Sequence, residues 1–250
     1  MCWNVWSVLG DEKLLNVLNM VDDQDIDIIC LCETWFDAQT GRFTALIREA
    51  GYEITHANRD GTRGGGVAVL YKKTMKVKPG DFSATKYTSF EYASCIFHTS
   101  AQKIMIICVY RKQEISCISF CEEFEKFMDS VFHKGDQVII VGDFNVWIEQ
   151  SSTESAMLRT MMNAHGLDQV VKEPTHIAGH TLDHVYVNEC QVNIECEVGD
   201  RCDVKTEHFP ITFSLLQMLN NLESGTVRYR DKKKYGCDER IRGGLSRNRL

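Results

Sequence analysis

The stretch VIIVGDFN at positions 138–145 joins an unbroken apolar run to two polar side chains. Consecutive Val and Ile residues favour a strand buried on both faces, because β-branched side chains pack well on a pleated sheet. Asp143 and Asn145 follow directly after this run. They are therefore expected at the mouth of a sheet, where a carboxylate is available for chemistry.

Other apolar runs along the chain also end in polar side chains. Ile26 to Cys32 is a predicted buried strand that ends in Glu33, and Lys103 to Tyr110 is a predicted strand that ends in Tyr110. Four more polar residues flank predicted strands: Asn4, Asp183, Glu207 and His208. Hydrolysis of a phosphodiester needs a cation, a group that prepares water, donors to the phosphate and a proton for the leaving oxygen. These strand ends offer candidates for each part, although many folds build their sites in this way.

Helices are predicted between the strands. Asp11 to Val21 begins after a glycine with acidic residues and then has apolar residues at helical spacing. Further helices are predicted at Arg42–Ala50, around Phe120–Val131 and at about Glu154–His165. The alternating residues at 90–98 and the run at 103–110 indicate a β-hairpin. This mixture of helix crossovers and hairpins predicts an α/β sandwich of mixed sheets with the helices outside.

The length and charge of the chain limit its organisation. Its 250 residues are 44% hydrophobic and 25% charged, which suits one large domain. A change in composition near Ser224 and Gly225 predicts a domain at 1–224 and a basic tail, disordered or a linker, at 225–250. The segment 226–250 has nine Lys/Arg against three Asp/Glu, which leaves a net charge of −13 on the rest. An acidic body excludes a broad basic face, so any DNA contact is expected to be local.

The cysteines and the amino terminus bear on the compartment. The eleven cysteines are an odd number, lie in apolar stretches and form no CxxC pair, so they are expected to be small buried hydrophobic residues. Neither a signal peptide nor an apolar run of membrane-spanning length is recognisable. We therefore expect an intracellular protein, nuclear or cytoplasmic, that is not secreted and has no membrane partner.

Seven short segments occur in the order typical of the endonuclease/exonuclease/phosphatase, or deoxyribonuclease I-like, superfamily. They are WNV at 3–5, LCETW at 31–35, GGVAV at 65–69, VYR at 109–111, VGDFN at 141–145, LDH at 182–184 and EHFPI at 207–211. The segments ETW and HFPI most resemble the apurinic-type endonuclease domain of non-long-terminal-repeat retrotransposons. The resemblance implies a four-layer α/β sandwich in which two mixed, largely antiparallel sheets pack face to face.

The resemblance also implies a metal site. Glu33 would bind Mg²⁺, with Mn²⁺ as a possible substitute, and Asn4 and Glu207 would lie near the metal and the phosphate. Carboxylate and phosphate oxygens suit this hard cation. Where the family usually has Ser-Asp-His, this chain has Thr206-Glu207-His208. The carboxylate is thus retained on a longer stem, and either a slow enzyme or a shifted metal would follow.

The remaining implied roles belong to the catalytic and phosphate-binding residues. Asp143 would position or deprotonate water, while Asn145 and Tyr110 would donate hydrogen bonds to the phosphate. His208, oriented by Asp183, would contact the phosphate as imidazolium or help to transfer a proton. A carboxylate at one ring nitrogen fixes the tautomer and favours the charged ring, which suits a phosphate that gains negative charge.

Three further features bear on these roles. Trp6 stands where some relatives have an acidic residue, and few residues precede Asn4, so we expect a short first strand and a less well covered sheet. His176, His180 and His184 have a spacing that would align them on a helix and suggest zinc. Gly179 and the β-branched residues nearby disfavour a helix, so the three rings are expected to diverge.

These observations favour a Mg²⁺-dependent DNA endonuclease that nicks one strand and derives from a retrotransposon. A reverse transcriptase domain is expected in a full-length element, and no segment of this sequence fits one. Two alternatives remain open at this point. The first is a phosphatase or phosphodiesterase of the same superfamily that acts on a small phosphorylated molecule or lipid. The second is an inactive remnant or binding module. The sequence specifies no oligomeric state.

Overall fold

Strand β8 (Gln137–Asp143) is buried along its whole length, as the apolar run at 138–141 predicts. The structure is a computed structural model, and it describes residues 1–37, 40–59, 61–80, 87–100, 102–132, 137–188, 192–201 and 204–217. The predicted basic tail at 225–250 and its boundary lie outside these ranges. Within them the chain forms four helices and twelve strands.

The four predicted helices and the strands predicted at 26–32, 90–98, 103–110 and 138–141 are present, with ends that differ by a few residues. The helices are α1 (Asp11–Asp23), α2 (Thr40–Glu49), α3 (Cys117–Val131) and α4 (Thr153–Ala164). The other strands are β1 (Cys2–Asn4), β2 (Ile28–Cys32), β3 (Tyr52–Ala57), β4 (Val67–Lys72), β5 (Val77–Pro79), β6 (Phe90–His98), β7 (Lys103–Arg111), β9 (Leu167–Gln169), β10 (Asp183–Asn188), β11 (Val192–Val198) and β12 (Ile211–Gln217). β5 and β9 were not predicted, because strands of 3 residues are too short to show a period.

The strands form two six-stranded sheets with the same pattern of strand pairing. The first sheet has the order β11-β12-β1-β2-β4-β3, and the second has the order β5-β6-β7-β8-β10-β9. In each sheet the two central strands are parallel, and the other neighbouring pairs are antiparallel. Both sheets are therefore mixed and largely antiparallel, as expected.

The two parallel pairs determine where the polar strand ends meet. Parallel neighbours need a crossover connection, which α1 supplies between β1 and β2, and α3 between β7 and β8. The register aligns Asn4 with Cys32 in the first sheet, and Tyr110 with Asp143 in the second. The carboxyl ends of each pair therefore lie side by side, and the residues that follow them share one edge.

Three apolar clusters divide the fold into layers. One cluster contains residues of both sheets, including Cys30, Val69, Ile106 and Val141, so the sheets pack face to face. A second cluster packs the first sheet against α1 and α2. A third packs the second sheet against α3 and α4. The resulting order of helices, sheet, sheet and helices is the expected four-layer α/β sandwich.

The described cysteines are part of these layers. All eight are free thiols, and seven of them are buried, as the sequence predicts; only Cys196 is partly exposed. Burial raises the pKa of the Cys95 thiol to about 12, so this side chain stays protonated and apolar at neutral pH. None of the described helices is long and apolar enough to cross a membrane.

Candidate active site

Five of the predicted site residues lie where the central strands of the two sheets end. Asn4 is the last residue of β1, and Glu33 follows β2. Asp143 is the last residue of β8 and is aligned with both Tyr110 on β7 and Asp183 on β10. The topology thus brings together polar residues that are far apart in the sequence.

The Asn4 side chain joins the two sheets. Its Nδ2 donates to Glu33 Oε1 at 3.0 Å and to Asp143 Oδ2 at 2.8 Å. Its Oδ1 accepts a hydrogen bond from the Trp6 backbone at 3.0 Å, which fixes the amide orientation. The second oxygen of Glu33 accepts from Trp35 Nε1 at 3.1 Å. Asn4 therefore presents a donor to the site and holds one carboxylate from each sheet.

Asp183 and His208 form the predicted pair. His208 Nδ1 donates to Asp183 Oδ2 at 2.7 Å, and the Thr175 hydroxyl donates to the same oxygen at 2.8 Å. Asp183 is fully buried, whereas 12% of the His208 side chain is exposed. This bond leaves Nε2 of the ring for a substrate. The Asp183 Oδ1 atom is buried and has no hydrogen-bond partner among the described residues.

The charge of His208 follows from its neighbours. Burial by itself lowers the pKa of the ring, but the Asp183 carboxylate opposes this effect, with smaller contributions from Asp143 and Glu33. The result is a pKa of about 9, raised from 6.5. The His208 ring is therefore an imidazolium at neutral pH and acts as a hydrogen-bond donor.

The Asp143 carboxyl must lose its proton to act as a base, whereas His208 must keep its own to act as a donor. Burial and the negative charge of Asp183 raise its pKa from 3.8 to about 7, although His208 and the hydrogen bond from Asn4 partly offset the rise. Its Oδ1 also accepts a hydrogen bond from the Asn145 backbone N–H at 2.9 Å. A carboxyl that loses its proton near neutral pH is suited to accept a proton from water.

Tyr110 lies on the side of the site that faces Arg59. Burial and the charges of Glu33 and Asp143 raise the pKa of the Tyr110 phenol well above its usual value, so the hydroxyl keeps its proton. The Arg59 guanidinium lies 5.6 Å from the centre of the phenol ring and bonds to Glu91. Tyr110 can therefore donate a hydrogen bond to an anion at any physiological pH.

Asn145 is anchored to the neighbouring strand. Its Nδ2 donates to the Arg111 carbonyl at 2.9 Å, and Arg111 Nη1 donates to the Asn145 carbonyl at 3.1 Å. Asn145 has a φ of 50° and Glu33 a φ of 56°, a left-handed conformation that costs free energy outside glycine. Two strained residues at strand ends are typical of a functional site, because the surrounding packing has to maintain them.

Glu207 lies apart from the other carboxylates. Its Oε2 is 3.5 Å from His176 Nε2, and 60% of its side chain is exposed. Thr206 faces inward instead, where its hydroxyl donates to the Asn4 carbonyl at 2.8 Å and accepts from the His208 backbone at 3.3 Å. The metal-binding role of Glu207 stays a prediction, as does that of Asn4, whose oxygen is used by Trp6.

Thr175 and His176 lie near the pair, although the sequence placed neither of them in the site. Thr175 holds Asp183 and also accepts hydrogen bonds from two backbone N–H groups. The His176 ring centre is 4.8 Å from that of His208. His180 instead bonds to Glu149, and His184 is fully buried, so the three histidines diverge as expected. Only the alignment of residues 175–176 with residues 207–208 could have indicated that Thr175 and His176 lie at the site.

The donor set suits a hard divalent cation. Ligand atoms of Asp143, Asp183 and His208 lie within 4.8 Å of one another. His208 is a poor ligand, because its Nδ1 proton is committed to Asp183 and its pKa is raised. The unpartnered Asp183 Oδ1, the Asp143 carboxylate and the half-buried Glu33 supply oxygen atoms of the type that Mg²⁺ and Mn²⁺ prefer.

A four-layer α/β sandwich with carboxylates and a charged histidine at the end of its central strands defines a class of hydrolases that cleave phosphate esters. Residues 1–205 match the sequence model of the endonuclease/exonuclease/phosphatase family, so the chain belongs to this family. Its members are metal-dependent nucleases and phosphatases. No curated protein sequence gives a significant match.

Solved structures share the fold at low sequence identity. A Neisseria 3′ phosphatase bound to a product DNA hairpin is 15% identical, with a TM-score of 0.67 over 86% of this chain and 98% of its own. The endonuclease domain of TRAS1, a telomere-specific non-LTR retrotransposon, is 14% identical, with a TM-score of 0.66 over 86% and 95%. An AP endonuclease from Archaeoglobus fulgidus is 15% identical, with a TM-score of 0.66 over 86% and 97%.

Proposed function

We propose that this protein is a Mg²⁺-dependent DNA endonuclease that nicks one strand and derives from a retrotransposon. The observation that carries the proposal is that ligand atoms of Asp183, His208 and Asp143 lie within 4.8 Å of one another, with Asn4 joining Asp143 to Glu33. Asp143 then takes a proton from the attacking water. His208 donates from Nε2 to a phosphate oxygen, or to the leaving oxygen as the ester bond breaks.

The phosphate is held by donors from both sheets. Tyr110 keeps its hydroxyl proton, because burial and two nearby carboxylates raise its pKa. Asn145 contributes its second Nδ2 hydrogen from the end of β8. Asn4, at the end of β1, would contribute by turning one of its two N–H groups from Glu33 or Asp143 to the phosphate. Fixed donors such as Tyr110 and Asn145 stabilise the additional negative charge of the transition state without reorganisation of the protein. Glu33 would hold Mg²⁺ or Mn²⁺, with weaker contributions from Asn4 and the exposed Glu207, and the cation would neutralise charge on the phosphate.

Cationic side chains beside the site support a DNA substrate. The Arg63 guanidinium lies 5.1 Å from the centre of the Trp35 ring, and Trp35 bonds to Glu33. Arg63 is exposed and can contact a phosphate next to the one that is cleaved. This arrangement matches the expectation of a local contact in a chain whose net charge is −7.

The DNA-related neighbours also support this substrate. Among the similar structures, one is bound to a DNA hairpin and another is the endonuclease domain of a retrotransposon. A DNA substrate implies action in the nucleus, or in the cytoplasm if the target is there. A reverse transcriptase in the full-length element is the expected partner.

A phosphatase of the same family is the second candidate. It is favoured by the likeness to the 3′ phosphatase, whose TM-score of 0.67 is close to that of the endonuclease domain. A phosphate monoester fits the same donors and carboxylates as a diester. The endonuclease and the phosphatase then differ in the size of the group that leaves the phosphate.

The experiment that separates them offers both kinds of substrate to the purified protein with Mg²⁺ or Mn²⁺. We expect supercoiled plasmid to become open circles, EDTA to stop the reaction, and a small phosphate monoester to release no phosphate. Release of phosphate from the monoester while the plasmid stays intact would overturn the endonuclease proposal in favour of the phosphatase.

Two variants, each with one histidine replaced by alanine, control this experiment. His208→Ala removes the charged donor, so we expect a loss of nicking of at least about a hundredfold. His98 is exposed at the far end of β6, and His98→Ala is expected to nick as the wild type does. Nicking that survives in His208→Ala would indicate a contaminating nuclease or a different site.

A further inference from the structure

Trp147 and His180 form an exposed aromatic pair beside the site. Their ring centres are 4.1 Å apart and their planes differ by 9°, so the two rings are stacked. Trp147 is nevertheless 46% exposed. Because His180 covers one face of the indole, the exposed surface includes the other face. The pair thus presents a flat aromatic surface to the solvent.

A network of hydrogen bonds keeps the pair in place. His180 Nδ1 bonds to Glu149 Oε1 at 2.8 Å, and the second oxygen of Glu149 accepts from the Thr181 backbone at 3.2 Å. The Ile148 backbone N–H donates to the Thr181 carbonyl at 3.3 Å, which ties the two loops together. The ring on which the indole stacks is therefore held before any ligand arrives, and this reduces the entropy lost on binding.

The two loops that carry the pair also carry site residues. Trp147 follows shortly after Asn145, and His180 shortly precedes Asp183. The Phe144 backbone N–H donates to the Leu182 carbonyl at 3.0 Å, so the loops are joined between the pair and the site. The aromatic surface is thus next to the groups that would hold the phosphate.

We propose that the Trp147–His180 pair is a nucleobase subsite, on which an unpaired base next to the cleaved phosphate stacks. This rests on the proposed nuclease function and specifies its substrate. A flat indole accepts any base, because every base has a π-face. Inside a duplex both faces of a base are covered by its neighbours. The free face of Trp147 therefore selects nucleic acid with a base that is single-stranded, frayed or turned out of the stack.

Binding to two synthetic strands tests the subsite. The strands are a fluorescein-labelled oligothymidylate and a strand of equal length built only from abasic tetrahydrofuran units, both measured by anisotropy in EDTA. For oligothymidylate we expect Trp147→Ala to raise the Kd about tenfold, within the range found for the loss of one base–aromatic stack. For the abasic strand we expect the wild type and Trp147→Ala to bind equally, because phosphate contacts remain.

Three further variants control for the shape of the surface. Trp147→Phe keeps an aromatic ring and is expected to restore most of the oligothymidylate affinity. His180→Ala leaves the indole unsupported and should weaken this binding by a smaller factor. Leu15→Ala removes a similarly exposed apolar side chain, 44% exposed on α1, and should change nothing. Thermal unfolding of each variant verifies that it is folded.

The possible results separate this inference from the proposed function. An equal Kd of the wild type and Trp147→Ala for oligothymidylate overturns the subsite, even if plasmid is nicked. Failure of the folded wild type to bind oligothymidylate also overturns it. A protein that binds the strand through Trp147 but cleaves neither plasmid nor strand with Mg²⁺ keeps the subsite and loses the nuclease function.

Discussion

A single amide, that of Asn4, contacts one carboxylate from each sheet. Because its Nδ2 donates to both Glu33 and Asp143, the two strand ends keep a fixed separation. The backbone at Glu33 and Asn145 is in a left-handed conformation that these contacts help to maintain. At the scale of single residues, the site therefore consists of side chains held by one another as well as by the sheets.

The raised pKa of His208 predicts how stability depends on pH. The pKa rises from 6.5 to about 9 on folding, so this contribution is complete below pH 6.5 and is lost as the pH rises through 9. In EDTA we expect the free energy of unfolding of the wild type to fall by about 2 kcal/mol more than that of a variant without this ring between pH 6.5 and 8.5. Chemical denaturation at several pH values measures this change.

His208→Gln is the control for this prediction. Glutamine does not titrate, so its free energy of unfolding should change less over the same range. The Asp143 carboxyl and the cysteine thiols also titrate in this range, but both proteins contain them, so the difference between the two slopes reports the charge of His208. Equal slopes for the wild type and His208→Gln would contradict the assigned charge of the ring.

The carboxylates of Glu33 and Glu207 are expected to contribute differently to metal binding. Glu33 bonds to Asn4 inside the site, whereas Glu207 is 60% exposed beside His176. We expect Glu33→Gln to raise the Mg²⁺ concentration for half-maximal nicking by more than about tenfold, and Glu207→Gln by less than about threefold. A metal titration of the nicking rate measures both. A tenfold effect of Glu207→Gln would support its predicted role as a ligand.

Most of the site could be predicted from the sequence, because each polar strand end lies in a short ordered motif. The orientations could not be predicted in this way. Whether Glu207 points to the metal or to His176 depends on the rotamer of one long side chain, which no motif specifies. Thr175 was missed because its partner, Asp183, meets it through a loop conformation and not through a periodic pattern.

At the scale of elements, helix α3 supports the residues of β8 from behind. The Phe124 ring is 5.2 Å from Phe90 and 6.1 Å from Phe144, measured between ring centres, and all three rings are buried. Phe144 lies between Asp143 and Asn145, so the packing of α3 determines where these two polar residues point. The core and the site are thus parts of one structure.

A substitution in α3 tests this support. Phe124→Ala removes a fully buried ring and should lower the free energy of unfolding by about 3–5 kcal/mol. On the same helix Ile118 is 56% exposed, and Ile118→Ala should change the value by less than about 0.5 kcal/mol. Urea denaturation measures both changes. Similar values for the two variants would contradict the packing described for α3.

The elements were predictable to different degrees. Long apolar strands and amphipathic helices show their periods in the sequence, so β2, β7, β8 and the four helices were predicted. The order of the strands within each sheet could not be predicted from the spacing of apolar residues, because pairs such as β1 with β12 join distant parts of the chain. Only the resemblance to a family implied how the sheets pack.

At the scale of the whole molecule, the site lies where two sheets with the same pattern of strand pairing meet. Each sheet contributes the carboxyl ends of one parallel pair, Asn4 and Glu33 from the first, Tyr110 and Asp143 from the second. Neither sheet has the complete set, so activity requires that both pack together. The acidic character of the chain would restrict the proposed binding of DNA to local cationic groups such as Arg63.

The most direct test of this account is a Mg²⁺ titration of the plasmid-nicking rate for the wild type and for Asp143→Asn. We predict that the rate of the wild type rises to a plateau with Mg²⁺ and is abolished by EDTA. The variant, which lacks the carboxylate that accepts the proton from water, should be at least about a hundredfold slower at every concentration. Equal rates of the two folded proteins, or no nicking by the wild type at any Mg²⁺ or Mn²⁺ concentration, would contradict it.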